Sequence, residues 1–178
     1  MIPGKIVGIA GRKGSGKTTL AEAMVYYGWH HDSFAAPIRR FMCNLFDISA
    51  LDLEAIKETP QRALGDRTPR QVMQLLGTEW MRGYCGQDVW LNALRARISH
   101  IYATGTNVVI SDVRFDNEAK FIRDLGGGVV WLERPGCLRD DEHVSERGIP
   151  VHYIDHAIEN DRDLDHLNAM AKILATLS

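Results

Sequence analysis

Short apolar runs recur along the chain and are separated by longer stretches with helical spacing. Runs of four to six residues bounded by turn-forming residues predict buried β-strands. The runs with the highest apolar content lie at 5–10, 107–111, 129–132 and 157–160. A weaker run at 30–35 predicts a further strand.

The stretches between the runs carry apolar residues three or four positions apart, which predicts amphipathic helices. One helix is expected to begin at Thr19 and another at Ala36-Pro37, where proline suits the first turn. Asp116 is the expected N-cap of a helix over 117–125. The remaining apolar stripes are Leu91, Leu94, Ile98 and Ile101, and then Leu164, Leu167, Met170, Leu174 and Leu177.

One helix, predicted over 68–82, carries two distinct faces. Thr68, Pro69 and Gln71 are typical of a capped helix start. Its expected buried face is Val72, Leu75, Leu76 and Trp80, and its polar stripe is Arg70, Gln74, Thr78 and Arg82. The spacing favours a solvated face with a tolerated glycine at Gly77, and a close approach to the backbone at Gly77 is the alternative.

Strands that alternate with helices indicate an α/β fold. We expect a doubly wound parallel sheet of about five strands with helices on both faces. The chain is expected to form one domain, 1–178, with extra helices clustered at 37–102. Residues 134–150 are dense in charge, which fits either a solvated excursion or a mobile lid.

Composition narrows the class of protein. The 178 residues are 45% hydrophobic and 25% charged, as in ordinary globular proteins. A net charge of −2 argues against a nucleic-acid polymer as partner, and three distant cysteines indicate neither a zinc site nor disulfides. No apolar run approaches the roughly 20 residues of a membrane span. Without a recognisable leader, we expect a cytoplasmic protein.

The chemistry is concentrated near the N-terminus. Residues 11–18, Gly-Arg-Lys-Gly-Ser-Gly-Lys-Thr, match the phosphate-binding loop pattern, and they lie between a predicted strand and a predicted helix. Gly11, Gly14 and Gly16 let the backbone approach phosphate oxygens. Lys17 supplies a point charge, and the hydroxyl of Thr18 can bind Mg²⁺.

Asp112 follows the predicted strand 107–111, at the edge where parallel sheets bind ligands. Its carboxylate could hold Mg²⁺ opposite Thr18, or it could only cap a turn. Arg114 lies at the same edge. Arg39 and Arg40 occupy the first turn of a predicted helix, where cations are unfavourable unless an anion lies nearby.

Several segments together resemble the phage-type deoxynucleoside monophosphate kinases of the P-loop kinase superfamily. They occur in the family's order at 11–19, 34–39, 70–79, 111–118, 133–136, 143–150 and 158–161. The resemblance implies transfer of the ATP γ-phosphoryl group to a deoxynucleoside 5′-monophosphate, with Mg²⁺ as cofactor. It also implies a P-loop NTPase-type fold with a helical acceptor-binding insertion and a lid.

The resemblance assigns roles by position. The ATP-binding residues would be Gly11, Lys13, Gly14, Ser15, Gly16, Lys17, Thr18, Thr19, Asn160 and Asp161. Thr18 and Asp112 would be the metal ligands. The acceptor would be bound by Arg39, Arg70, Gln74, Thr78, Trp90 and Arg114. Catalytic roles would fall to Lys17, Asp112, Arg114, Arg134 and Arg139.

The chain departs from the family's pattern in two places. Some members have Asp after the loop lysine, where this chain has Thr18, and the stretch before Thr68 is compact. Two alternatives stay open at this point: another small-molecule P-loop kinase, such as a dephospho-coenzyme A kinase, and a nucleotide-binding switch. The sequence leaves the accepted bases and the oligomeric state, including a homodimer, undecided.

Overall fold

The computed structural model describes residues 4–137, 143 and 147–177. The chain divides into two compact units, Met1–Phe34 with Leu91–Ser178, and Ala35–Trp90. Among the described residues, no helix is long and apolar enough to cross a membrane. The single domain predicted over 1–178 stays a prediction.

The first unit is built on a five-stranded sheet. The strands are β1 (Ile6–Ala10), β2 (His30–Asp32), β3 (Val108–Val113), β4 (Gly128–Glu133) and β5 (His156–Glu159). They lie in the order β2-β3-β1-β4-β5, and every neighbouring pair is parallel. The predicted five-stranded parallel sheet is confirmed. β2 is shorter than predicted because the backbone N–H of Phe34 donates to the Asp112 carboxylate (2.7 Å) and leaves the strand ladder.

The helices occupy the segments between the strands. In the described part of the chain they are α1 (Lys17–Val25), α2 (Ala36–Phe46), α3 (Ala50–Ile56), α4 (Pro69–Gln74), α5 (Gly83–Cys85), α6 (Val89–Ala103), α7 (Asp116–Asp124) and α8 (Leu164–Leu177). Between α4 and α5 the chain forms a π-helical segment, Leu75–Arg82. Short 3₁₀ turns occur at Arg62–Leu64 and Val151–Tyr153.

Helices cover both faces of the sheet, as predicted. On one face, α1 and α8 pack together and bury Leu20, Met24 and Leu167 against the sheet. On the other face, α7 contacts β1 and β4. There α6 lies beside α7, since the Tyr102 hydroxyl donates to the Leu125 carbonyl (2.7 Å).

Two details of the first unit differ from the sequence predictions. Asp116 is the first residue of α7 and not its N-cap. Glu118 caps the helix instead, because its carboxylate reaches back and accepts from the N–H groups of Arg114 (2.8 Å) and Phe115 (3.1 Å). On α8, Leu164 is exposed, and the buried stripe begins one turn later at Leu167.

In the second unit, α2 contacts α3 and α4. The predicted capping box is confirmed: the N–H of Gln71 donates to the Thr68 hydroxyl (3.1 Å), and the N–H of Thr68 donates to the Gln71 side chain (2.9 Å). An equivalent box, formed by Ser49 and Asp52, begins α3. Both helix starts are therefore determined by local sequence.

The buried face predicted for 68–82 is wrong. Leu75 and Trp80 are 52% and 57% exposed, whereas Arg70, Gly77 and Arg82 are buried. The α-helical spacing used for the prediction assumes about 3.6 residues per turn. From Leu75 onward the helix is wound with i→i+5 hydrogen bonds, which rotates the side chains after Leu75, Trp80 among them, away from their α-helical directions.

A buried ion pair fixes the end of β2. Arg97 on α6 binds both carboxylate oxygens of Asp32 (3.0 and 3.1 Å) and the Ser33 carbonyl oxygen (2.6 Å). The two side chains are only 19% and 10% exposed. Arg97→Met should lower the free energy of unfolding by about 3 kcal/mol, because it leaves a buried carboxylate uncompensated.

Urea denaturation measures this loss. The matched control is Lys120→Met, which removes an exposed ion pair with Asp124 (2.7 Å) and should cost less than about 1 kcal/mol. Equal losses of unfolding free energy in the two variants would show that the Arg97–Asp32 pair stabilises the protein no more than an exposed ion pair does.

Candidate active site

The phosphate-binding loop joins β1 to α1 in a conformation that requires glycine at two points. Gly16 is the N-cap of α1 with φ 98°, and a β-carbon there would lie 2.7 Å from Asn160 Nδ2. Gly11 has φ 146°, and its β-carbon would lie 2.3 Å from the Leu132 carbonyl oxygen. The loop is therefore pressed against the ends of β4 and β5, and no side chain fits at either position.

Lys17 is the first residue of α1 and is buried. Its ammonium donates to the carbonyl oxygens of Gly11 (2.7 Å) and Arg12 (2.5 Å). The charge thus lies within the curve of the loop. A phosphate group bound there would compete with these two carbonyl groups for the ammonium protons.

Asn160 follows β5 and is buried beside the loop. Its side-chain N–H donates to the Ser15 carbonyl (2.9 Å), and its backbone N–H donates to the Glu133 carbonyl (2.7 Å). The residue therefore ties the loop to the ends of two strands. A contact with adenine, expected for Asn160 and the exposed Asp161, stays a prediction.

Asp112 lies within β3, one residue before its end, and is buried. Since β3 neighbours β1 in a parallel pair, Asp112 lies at the same sheet edge as the loop. One carboxylate oxygen accepts the Phe34 N–H (2.7 Å), so Asp112 holds the turn after β2. This contact accords with the turn-capping alternative and leaves a metal role untested.

The donor set at this edge suits Mg²⁺ better than a transition metal. Thr18 and Asp112 offer hard oxygen ligands, and Mg²⁺ is commonly bound by one or two protein oxygens together with phosphates. Within residues 4–137, 143 and 147–177 there is no cluster of three or more His, Cys, Asp or Glu side chains able to hold a metal by themselves. The residues present therefore fit a cation brought in with a nucleotide.

The other expected residues of the first unit lie near the same edge. Lys13, Thr18 and Thr19 are exposed on or just after the loop, and Arg134 is exposed directly after β4. Arg114 is half-buried after β3, next to the α7 cap. Arg139 lies outside the described residues, as do residues 138–142 and 144–146 of the predicted lid.

The acceptor residues expected at 39–90 all belong to the second unit. Arg39 is half-buried in the first turn of α2, and Arg70 is buried in α4. The Arg70 guanidinium lies 3.7 Å from Glu58, and its backbone N–H donates to the Lys57 carbonyl (3.0 Å).

Trp90 is buried, and its indole N–H donates to the Gly77 carbonyl (2.8 Å). A β-carbon on Gly77 would lie 2.9 Å from Ile38 Cδ1, so a close approach to the backbone does occur there. Trp90 therefore supports the π-helical segment. Gln74 and Thr78 are half-buried on α4 and on that segment, and their contact with an acceptor stays a prediction.

A family model described as deoxynucleotide monophosphate kinase matches residues 44–171. The chain belongs to the deoxynucleotide monophosphate kinase family. The enzyme class is accordingly that of kinases, which are phosphotransferases, and the resemblance drawn from the sequence is confirmed. Neither a dephospho-coenzyme A kinase nor a switch module is supported.

Relatives of different lengths match the chain. A protein of Acanthamoeba polyphaga mimivirus, named provisionally as a deoxynucleotide monophosphate kinase, is 36% identical over 79% of this chain and 80% of its own length. The deoxynucleoside-5′-monophosphate kinase of Escherichia phage T5 is 35% identical over 54% of this chain. That match spans only 40% of the phage protein.

Solved structures confirm the fold alone. The APS kinase CysC of Mycobacterium tuberculosis, solved with AMPPNP and APS, superposes over 100% of both chains with a TM-score of 0.55 and 16% identity. Shikimate kinase from Acinetobacter baumannii gives a TM-score of 0.51 at 16% identity, over 99% of this chain and 93% of its own. The chain thus has the fold of P-loop kinases.

The Asn160 contact generates a test of loop geometry. Asn160→Leu keeps the side chain's size but leaves the Ser15 carbonyl unsatisfied, a loss of about 1–3 kcal/mol. Part of this loss should appear as weaker binding of Mg·ATP, measured by calorimetry without an acceptor. Asn168→Leu, an exposed change on α8, should leave the affinity unchanged. Unaltered ATP affinity in the Asn160 variant would contradict the role of this contact.

Proposed function

We propose that the protein transfers the γ-phosphoryl group of ATP to deoxynucleoside 5′-monophosphates, which yields diphosphates for dNTP synthesis. The observation that carries the proposal is the phosphate-binding loop, with Lys17 held inside it, in a chain of this kinase family. In the reaction, an acceptor phosphate oxygen bonds to the γ-phosphorus. The bond from that phosphorus to the β,γ-bridging oxygen breaks, and ADP leaves.

The first unit would bind the donor. The glycine-rich loop leads directly into the N-terminus of α1, an arrangement that favours a phosphate anion. Lys17 would exchange its contacts with the Gly11 and Arg12 carbonyl groups for oxygens of the outer phosphates. Arg114 and Arg134, at the same sheet edge, would neutralise charge that develops on the transferred group.

Mg²⁺ would be bound by Thr18 and Asp112 together with ATP. The ion supplies charge neutralisation on the phosphate oxygens when it is bound. Asp112 already accepts the Phe34 N–H, so its carboxylate is held in one orientation. Because this chain has Thr18 after the loop lysine, we assign the acidic role at this edge to Asp112.

The second unit would bind the acceptor. Arg39 and Arg70 provide guanidinium groups, whose planar fork suits the oxygens of a monophosphate. Gln74, Thr78 and Trp90 would border the acceptor's base and sugar. The family resemblance also assigns Arg114 to the acceptor phosphate, and Arg139 together with residues 134–150 would exclude water from the reaction.

The substrates are small nucleotides, and we expect no nucleic-acid polymer as partner because the net charge is −2. A homodimer stays an open proposal. We expect the enzyme to act in the cytoplasm, or in the host cytoplasm if a phage encodes it.

The first test measures ADP release from Mg·ATP with dAMP, dGMP, dCMP, dTMP, the ribonucleotides and dephospho-coenzyme A. We expect release that depends on one or more deoxynucleotides. Lys17→Ala should lower turnover by a factor of 100 or more, since it removes a charge aimed at the transferred group. Near-normal turnover in a folded Lys17→Ala protein, checked by circular dichroism, would reject the proposal.

A second test separates the two substrates. Arg70→Met should raise KM for the deoxynucleotide by about 10- to 100-fold, the value of a charged hydrogen bond. KM for ATP should stay within about twofold in the same assay. An increase confined to the KM for ATP would place Arg70 on the donor instead of the acceptor.

A further inference from the structure

The second unit contains a third cation beside the two arginines already assigned to the acceptor. Lys57 is the C-cap of α3, directly after the helix. Its carbonyl accepts the backbone N–H of Arg70 (3.0 Å), so the end of α3 is joined to the start of α4. Arg39, in the first turn of α2, lies near enough for its charge to act on the Lys57 ammonium. Because α2 also contacts α3 and α4, the three helices bring Arg39, Lys57 and Arg70 into one region of the second unit.

These cations are less exposed than the acidic groups around them. The side chains of Lys57 and Arg70 are 16% and 10% exposed, whereas Glu54 and Glu58 are 63% and 53% exposed. Glu54 binds the Lys57 ammonium at 3.1 and 3.2 Å. Glu58 lies 3.7 Å from Arg70, a contact longer than a good hydrogen bond. The two cationic side chains are therefore mostly buried, and the two carboxylates next to them are mostly exposed to solvent.

The surroundings of Lys57 disfavour the charged form of its side chain. Burial lowers the pKa of Lys57, and the charge of Arg39 lowers it further. Glu54 raises the pKa, and Arg70 contributes another lowering effect. A half-buried lysine that faces two arginines is stabilised in its charged form when an anion joins the group. A phosphate dianion with several oxygens would satisfy all three cations together.

We propose that Lys57 binds the 5′-phosphate of the acceptor nucleotide, together with Arg39 and Arg70. The inference rests on the proposed function, and it adds an acceptor ligand for which the sequence contains no motif. The two arginines offer directional hydrogen bonds, and the lysine adds a mobile point charge. Glu54 holds the ammonium in the free protein, and the phosphate displaces it because Glu54 is mostly exposed and readily solvated.

The central variant is Lys57→Met, which keeps the length of the aliphatic chain and removes the charge. We expect KM for the best deoxynucleotide of the panel to rise about 10- to 100-fold, the value of one charged hydrogen bond. KM for ATP should change less than twofold. Lys120→Met, the same substitution at an exposed site on α7, should leave both constants unchanged.

A second variant distinguishes binding from a purely structural role. If Lys57 only formed an ion pair with Glu54, then Glu54→Gln would reproduce the effect of Lys57→Met. If Lys57 binds phosphate, then Glu54→Gln removes a competitor and should leave the acceptor KM unchanged or lower it. Matching increases of KM in the two variants would overturn the proposal.

The pH dependence provides a third readout. The charged groups that act on Lys57 are Arg39, Glu54 and Arg70. Because its pKa lies below the ordinary lysine value, Lys57 loses its proton earlier than a surface lysine as the pH rises. The acceptor KM should therefore rise with pH in that range. Lys57→Arg keeps its charge there, so its acceptor KM should stay flat.

The outcomes distinguish a failure of the proposed function from a failure of the role given to Lys57. If the wild-type protein phosphorylates none of the deoxynucleotides, the proposed function fails before Lys57 is tested. If the wild-type protein is active and Lys57→Met keeps its acceptor KM, only the role of Lys57 is rejected. Thermal melting of Lys57→Met, together with its ATP affinity, confirms that the variant is folded.

Discussion

The direction of the strands is the constraint on which the donor site depends. All neighbouring pairs in the described sheet are parallel, so the carboxyl ends of the strands meet at one edge. The phosphate-binding loop follows β1, Asp112 lies one residue before the end of β3, and Arg134 follows β4. These three groups follow or lie near the ends of different parallel strands, so short connections are enough to bring them to the same edge of the sheet. A single antiparallel strand would carry its terminal residue to the opposite edge.

The loop itself is held by groups from distant parts of the sequence. Asn160 binds the Ser15 carbonyl across 145 residues, and Leu132 leaves no room for a side chain at Gly11. An anion site made of backbone N–H groups works only if the backbone keeps its curvature without the anion. The ends of β4 and β5 provide that support, and the buried Lys17 satisfies two loop carbonyl groups from inside.

Local patterns explain what could be predicted from the sequence. The apolar runs, the Thr68 capping box and the Gly11–Thr18 loop each depend on residues close together in the chain, and the structure contains all of them. The buried face predicted for 68–82 was wrong because no local sequence pattern predicts i→i+5 hydrogen bonds. The Asp116 cap failed because α7 begins one residue earlier than predicted, and Glu118 reaches back to the N–H groups of Arg114 and Phe115. Lys57 was missed since its charged neighbours come from three separate helices.

The π-helical segment has a consequence for how this protein can tolerate insertions and deletions. Each hydrogen bond of a π-helix closes a ring that contains one more residue than the corresponding ring of an α-helix. Removal of a single residue from 75–82 could therefore restore ordinary winding without breaking the helix. The same deletion would redirect the side chains from the deleted position to Cys85, after which Gly86 ends the helix. Homologous chains that differ by one residue here would present different surfaces from an otherwise continuous helix.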